Sequence, residues 1–311
     1  MIKTGLFIFL FASLLASGAA AQGFDAENRY VVSAEYIHSS HNARWRNQAD
    51  SILTWQDIRL GGAMLGVEKN GYGAKLWYAD GDGGYSSDDD LYNKFYAVSA
   101  FDVDTRYFGF DAWAPLEMRS PVKARWGMEL SSLAFKGYVR MAAQGKPAAG
   151  TDKFPMDTVE YADGAESEDY SFNSIIPYVG ANVIIGQSEN GKHTFHLDGR
   201  VGAGLFYGRQ KWLVPSGKTG ISTTTFALPM LQFKTEATYD YAIFSRMSLG
   251  LAMGYKGAVL AGIDSSTVTA NKDVLGPNDP RKDGPAKQIG RVLKDLSTNE
   301  FYSRVGVRFS I

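Results

Sequence analysis

Five carboxylates lie within eleven residues at positions 80–90, in the segment DGDGGYSSDDD. Asp88 and Asp90 are separated by one residue, so on an extended segment their side chains point to the same side. Close carboxylates raise one another's proton affinity, so one can hold a proton while the other accepts one. Such a pair can perform general acid–base chemistry, and Asp88 and Asp90 are therefore the candidate catalytic residues. A solvated surface loop after the third strand is the competing interpretation.

A metal loop is the second alternative for this segment. Asp80 and Asp82 are followed by glycine, but an EF-hand loop needs an oxygen ligand at its fifth position and glycine at its sixth. Gly84 and Tyr85 occupy those positions, and no glutamate closes the loop. An EF-hand is therefore not predicted, no metal ligands are assigned, and only an irregular surface cation site stays open.

The N-terminus has the pattern of a secretory signal peptide. Lys3 precedes an apolar run from Leu6 to Leu15, and small residues follow at 19–21. The run is shorter than the ~20 residues that a membrane-spanning helix needs. We therefore predict a signal peptide at 1–21 and one mature domain at 22–311, exported from the cytoplasm.

Composition excludes several function classes. The chain has no cysteine, which rules out disulfides and thiol chemistry, and its net charge of −1 gives no bias toward nucleic acid. The chain also lacks the motifs of serine hydrolases, P-loop proteins and HExxH metalloproteases.

The elements that must position the aspartates show strand periodicity. In 301–311, Phe301, Val305 and Phe309 share one parity while Arg304 and Arg308 share the other, so one strand face is apolar and the other polar. About eleven residues is the length of a tilted transmembrane strand. Ten strands are predicted, at 29–41, 51–69, 72–80, 99–116, 122–142, 172–187, 193–212, 223–240, 245–262 and 299–311.

The connections between these strands alternate in length. Short ones include the Asn70-Gly71 hairpin signal and 188–192. The long ones are 81–98, 143–171, 213–222 and 264–298. Short turns at one end and long loops at the other are typical of an outer-membrane barrel, whereas a soluble β-domain, the alternative, has no such bias. The sequence thus predicts an all-β antiparallel transmembrane β-barrel, with long loops extracellular and short turns periplasmic.

The polar residues of each predicted strand are expected to face the barrel interior. A charge-paired interior is the first interpretation, and a narrow pore for small polar solutes is the alternative. The charged residues assigned to this face are His196, Asp198, Arg200, Lys234, Glu236, Arg304 and Arg308. The six tryptophans are predicted to form an interfacial girdle near strand ends or on the lipid face.

A family resemblance rests on short motifs in a fixed order. They are SILTW at 51–55, DDD at 88–90, FDVD at 101–104, GFDAW at 109–113, PYVG at 177–180 and FHL at 195–197. In that order and spacing the chain resembles the omptins, ten-stranded outer-membrane aspartyl-type proteases. The resemblance covers most of the mature chain.

The resemblance implies a surface groove with two catalytic pairs on opposite rims. One is the Asp-Asp pair of the D-x-D segment, here Asp88 and Asp90; the other is an Asp-His pair on the hairpin of strands seven and eight. The pairs activate a water that attacks a peptide next to basic residues. The resemblance also implies outer-membrane lipid as a partner, with lipopolysaccharide bound on the barrel wall and required for activity, and no other cofactor.

This chain departs from the omptin pattern at the second pair. Residues 208–222 contain no histidine and no carboxylate, and Leu91 replaces the tryptophan that usually follows the D-x-D. The predicted function is therefore an omptin-like cell-surface barrel with altered or lost protease activity. An active endopeptidase with another base, such as His41, and a narrow pore are the alternatives.

Overall fold

The computed structural model describes residues 29–47, 52–92, 95–117, 122–145, 164–213, 216–260, 264–270 and 293–311. The predicted signal peptide at 1–21 lies outside these residues. Eleven strands occur in them: β1 (Val31–Asn47), β2 (Ile52–Lys69), β3 (Tyr72–Tyr92), β4 (Phe95–Glu117), β5 (Val122–Gly145), β6 (Glu166–Gln187), β7 (His193–Leu213), β8 (Thr219–Phe244), β9 (Met247–Leu260), β10 (Asp264–Ala270) and β11 (Leu293–Ser310).

The strands form a closed antiparallel barrel. Neighbours in sequence pair from β1 through β9, and β11 pairs with both β9 and β1, which closes the sheet. β10 continues β9 along the same edge of β8, because β9 pairs with β8 from Met230 onward and β10 pairs with Ile221–Ala227. Counted around the wall there are thus ten strands, as predicted, and closure leaves no unpaired edge in the membrane.

The tight turns and the chain ends lie at one end of the barrel, which we call the short-turn end. Asn70 and Gly71 have φ of 51° and 80°, the positive values that a two-residue hairpin turn of this type needs. Tyr30 and Ile311 exchange two backbone hydrogen bonds of 2.9 and 3.0 Å at this end. The opposite end, which we call the long-loop end, carries the connections 146–165 and 271–292.

The third and fourth strands are longer than predicted. β3 extends to Tyr92 and β4 begins at Phe95, so the predicted long connection at 81–98 is wrong. Asp and Gly are poor strand formers, but pairing with β2 on one side and β4 on the other overrides that preference. A bulge between Asp82 and Tyr85 absorbs the two glycines. The connection predicted at 213–222 is likewise shortened by β7 and β8, which reach Leu213 and Thr219.

The outer wall carries the apolar parity, as predicted. Val201, Phe233 and Phe301 are exposed, whereas Arg200, Gln232 and Tyr302, their neighbours in sequence, are buried inside. Such a belt of exposed apolar side chains around a closed sheet is the lipid-facing surface of a transmembrane barrel. Among the described residues, no helix is long and apolar enough to cross a membrane.

The tryptophan prediction is wrong for half of the set. Trp126 is 54% exposed on the outer wall, but Trp55, Trp77 and Trp113 are at most 8% exposed and lie inside. For Trp55 the cause is a bulge at Asp57, which has φ of 54° and donates its N–H to Asn42 Oδ1. The bulge inverts the alternation of β2, so Trp55, which regular alternation would place on the outer wall, points inward. The side chains of Trp45 and Trp212 lie outside the described set.

Candidate functional site

An ionic layer crosses the middle of the barrel interior. Arg200 donates to Asp111 Oδ2 at 2.7 Å and also bonds Glu129. Lys256 Nζ lies 2.6 Å from Glu129 Oε1, and the Tyr178 hydroxyl donates to Asp111 Oδ1 at 2.7 Å. Apart from the half-buried Lys256, these side chains are buried. Each buried charge therefore has an opposite partner, as burial requires.

A second cluster extends this layer toward β1 and β11. Arg304 donates to Glu35 Oε2 at 2.5 Å and also bonds Glu236. The Tyr302 hydroxyl donates to Glu236 Oε2 at 2.6 Å, and Lys234 Nζ is 3.7 Å from the same oxygen. The charge-paired interior predicted from the sequence is confirmed in these residues.

An aromatic layer closes the interior between the ionic layer and the long-loop end. Trp55 stacks on Phe135 with ring centroids 5.2 Å apart and meets Tyr170 and Phe172 edge-on at 5.3 and 5.5 Å. Phe206 lies 5.8 Å from Phe172. All five rings are buried. Offset and edge-to-face contacts of this kind stabilise a packed core, so the interior is filled at two successive levels.

The candidate catalytic aspartates lie on β3 near the long-loop end. Asp88 pairs with Leu53 of β2 and Ser99 of β4, and Asp90 pairs with Ala97 of β4. Their side chains are outside the described set. They therefore sit on a strand rim, four and two residues before β3 ends at Tyr92.

The opposite rim lacks the second catalytic pair. The β7–β8 hairpin between Leu213 and Thr219 belongs to the segment that has no histidine and no carboxylate. His193 and His196 lie at the short-turn end, as predicted, where His193 Nδ1 is 2.7 Å from the Tyr239 hydroxyl oxygen and His196 Nε2 is 3.3 Å from Asp240 Oδ2.

His41 is too far down the barrel to serve as the missing base. It is buried in the interior, with Nε2 2.9 Å from Ser39 Oγ and 3.7 Å from Glu300 Oε1. His41 pairs with Ile58 of β2, whereas Asp88 pairs with Leu53 of that strand. On β1, four residues separate His41 from Trp45, the partner of Leu53, which is roughly 13 Å at about 3.3 Å per residue. A general base must lie within hydrogen-bond reach, directly or through one water.

Metal binding finds no support in the part of the chain whose side chains are described. No group of three or more histidine, aspartate or glutamate side chains there is arranged to hold an ion. The acidic side chains at 88–90 are not among them.

Comparison with known proteins identifies the class by fold. No protein-family model and no curated protein matches the sequence. The chain is similar to the outer membrane protease OmpT from Escherichia coli at 10% identity and a TM-score of 0.59, covering 94% of this chain and 99% of that one. Neisserial surface protein A also matches, at 10% identity, 90% and 96% coverage and a TM-score of 0.28.

The closed sheet and its apolar belt thus define an antiparallel β-barrel of the outer-membrane type. Its fold resembles that of the omptin OmpT over nearly the whole length of both chains. The omptin resemblance seen in the sequence motifs is therefore confirmed at the level of fold.

Proposed function

We propose that this chain is an omptin-like outer-membrane barrel that acts at the cell surface through its long-loop end, with protease chemistry altered or lost. One observation carries the proposal: the ionic and aromatic layers fill the interior. Ion pairs and packed rings across the lumen leave little room for the passage of solutes, which favours an activity in the parts that leave the membrane. The strand ends and connections of the long-loop end are the largest of these parts.

Tags inserted at the two ends of the barrel test this orientation. An epitope between Asn278 and Asp279, in the long connection, should be stained by antibody on intact cells. The same epitope between Glu189 and Asn190, in a tight turn at the short-turn end, should be stained only after permeabilisation. The reverse pattern would place the long connections in the periplasm and overturn the proposal.

Lipopolysaccharide is the proposed lipid partner. Arg44, Arg59 and Arg106 are exposed on β1, β2 and β4, on the long-loop side of the apolar outer wall. Guanidinium groups at that level suit the phosphates of a lipopolysaccharide leaflet. We expect lipopolysaccharide to increase the yield of folded barrel, measured as heat-modifiable gel mobility. An equal yield of folded barrel in neutral detergent without lipopolysaccharide would contradict this proposal.

Endopeptidase activity at Asp88 and Asp90 is the second candidate. Asp88 and Asp90 are two positions apart on β3, so strand alternation predicts both carboxylates on one face near the barrel mouth. Two carboxylates on one face of a strand rim could share a proton and activate a water. This chain would then need a partner other than His41, supplied by another part of the long-loop end.

Cleavage of a quenched peptide with an Arg-Arg or Lys-Lys pair tests this candidate. The refolded mature chain is compared with Asp88→Asn and Asp90→Asn, with and without lipopolysaccharide. Asp82→Asn is the matched control, because Asp82 lies on the same strand with its side chain exposed on the outer wall. Cleavage lost in the first two variants and kept in the third would establish the protease. A folded wild-type barrel without cleavage would leave altered or lost chemistry, our first proposal.

A further inference from the structure

A polar cavity opens inside the barrel at the short-turn end, below the ionic layer. Its volume is about 280 Å³, which is room for several water molecules. We call it the vestibule. Lys75, Trp113, Lys123, Arg125, Asp198 and His196 are among the residues that line it. The function proposed above uses the opposite end of the molecule and leaves the vestibule unexplained.

The vestibule is lined by four lysines and arginines and by four carboxylates, and two of its lysines lie outside the ion pairs that the described residues form. Its buried carboxylates are all bonded to arginine, since Asp198 accepts from Arg125 at 2.5 Å, and Glu35 and Glu236 both bond Arg304. Among the described residues, the ammonium groups of Lys75 and Lys123 have no carboxylate within ion-pair distance. Glu68 is exposed at the rim, where water screens its charge.

An aromatic ring forms part of the vestibule wall between two of these cations. The Lys75 ammonium lies 5.7 Å and the Arg125 guanidinium 5.2 Å from the centre of the Trp113 ring. Trp113 is buried against Gly73, its partner across β3 and β4. Cations close to an aromatic ring favour a ligand that has both a negative group and an apolar body.

Unsatisfied hydrogen-bonding atoms point to the same site. Within the described part of the chain, Arg125 Nε and His196 Nδ1 are buried and have no partner, although Arg125 uses its other end to hold Asp198. Buried polar atoms in proteins are normally satisfied by protein, water or ligand. The partner missing at Arg125 Nε, an N–H donor, must accept a hydrogen bond, and a carboxylate oxygen does so.

We propose that the vestibule binds a small organic carboxylate, with its anionic group between Lys75 and Arg125 and its apolar part near Trp113. The ligand enters through the short-turn mouth and stops at the ionic layer. The binding is independent of the function proposed for the long-loop end.

The probe for this site is 4-fluorobenzoate, followed by fluorine NMR line broadening as refolded barrel is added in detergent. The wild type should broaden the signal saturably. Lys75→Met, which keeps the length of the side chain and removes its charge, should weaken binding about tenfold or more. Lys136→Met is the matched control, because Lys136 is bonded to Glu166 near the long-loop end and should leave binding unchanged.

Two further samples keep the test decisive. Neutral 4-fluorobenzamide should not bind saturably, because it lacks the charge that the ammonium groups attract. If Lys75→Met does not fold, as judged by gel mobility, Lys123→Met at the vestibule wall should show the same weakening. Equal binding by wild type and by the folded lysine variant, or equal broadening of the benzamide, would overturn the proposal.

Discussion

At the scale of single residues, Arg200 shows how this barrel stabilises a charged interior. It bonds Asp111 and Glu129 from the centre of the ionic layer, with only 5% of its surface exposed. Removing one partner of a buried ion pair leaves the other charge uncompensated, and this is far more costly than never having had the pair.

Arg200→Met should therefore lower the free energy of unfolding by about 3–5 kcal/mol. Unfolding in urea, followed by tryptophan fluorescence in detergent, measures the change. Arg209→Met on the same strand is the control, since Arg209 is exposed on the outer wall and its loss should cost at most ~0.5 kcal/mol. Equal costs in the two variants would contradict the ionic layer as described.

At the scale of elements, the sheet uses pairs of a glycine and an aromatic residue directly across from each other. Trp77 lies against Gly109, and Tyr302 against Gly254. A Cβ added at Gly109 would approach Trp77 Cζ2 to 2.0 Å, and one at Gly254 would approach the Tyr302 ring to 2.3 Å. The glycines thus let large rings lie flat on the inner wall, a known device for keeping strands in register.

Gly109→Val should destabilise the barrel by about 1–3 kcal/mol, because the new side chain displaces the Trp77 ring in a filled interior. Gly199→Val provides the matched comparison. A Cβ at Gly199 meets nothing within 4 Å, and valine favours a strand. Urea midpoints of the two variants should therefore move apart, and a Gly109→Val midpoint equal to that of the wild type would count against the packing.

Elements are also where the sequence was most informative. Alternation is local, so it predicted the faces of β7, β8 and β11 and the number of strands around the wall. It failed at Asp57, where a bulge inverts the parity of β2. A bulge depends on which residues of the neighbouring strand are paired, and one strand's sequence does not contain that information.

The same limit applies to the site. The D-x-D motif singled out Asp88 and Asp90. It did not predict that they lie within β3, because β3 is extended to Tyr92 by its pairing with β2 and β4. Residues that meet across the interior are distant in sequence, as with Arg200 and Glu129, which are 71 positions apart. The vestibule was not predicted at all, because the positions of Lys75, Trp113 and Arg125 relative to one another depend on the register between β3, β4 and β5.

At the scale of the whole molecule, the ionic and aromatic layers lie between the vestibule and the long-loop end. The vestibule opens toward the short-turn end, and the aromatic layer around Trp55 closes the side toward the long-loop end. An eight-stranded barrel is just filled by its side chains. With two more strands, this barrel fills the additional width with ion pairs and large aromatic rings.

Removing the central ring of the aromatic layer tests this arrangement. Trp55→Ala should lower the free energy of unfolding by about 3–5 kcal/mol, as expected for a buried aromatic residue truncated in a core. Trp126→Ala, on the exposed outer wall, should cost clearly less. Urea unfolding of both variants gives the comparison, and similar costs would show that Trp55 does not fill the interior.

The most direct test of the central claim is the conductance of the refolded wild-type barrel in a planar lipid bilayer. The filled interior predicts no stepwise current at voltages that leave the bilayer intact, while gel mobility of the same sample confirms that the barrel is folded. Reproducible unit steps, with ion selectivity altered by Arg200→Ala, would contradict the account and make the chain a pore.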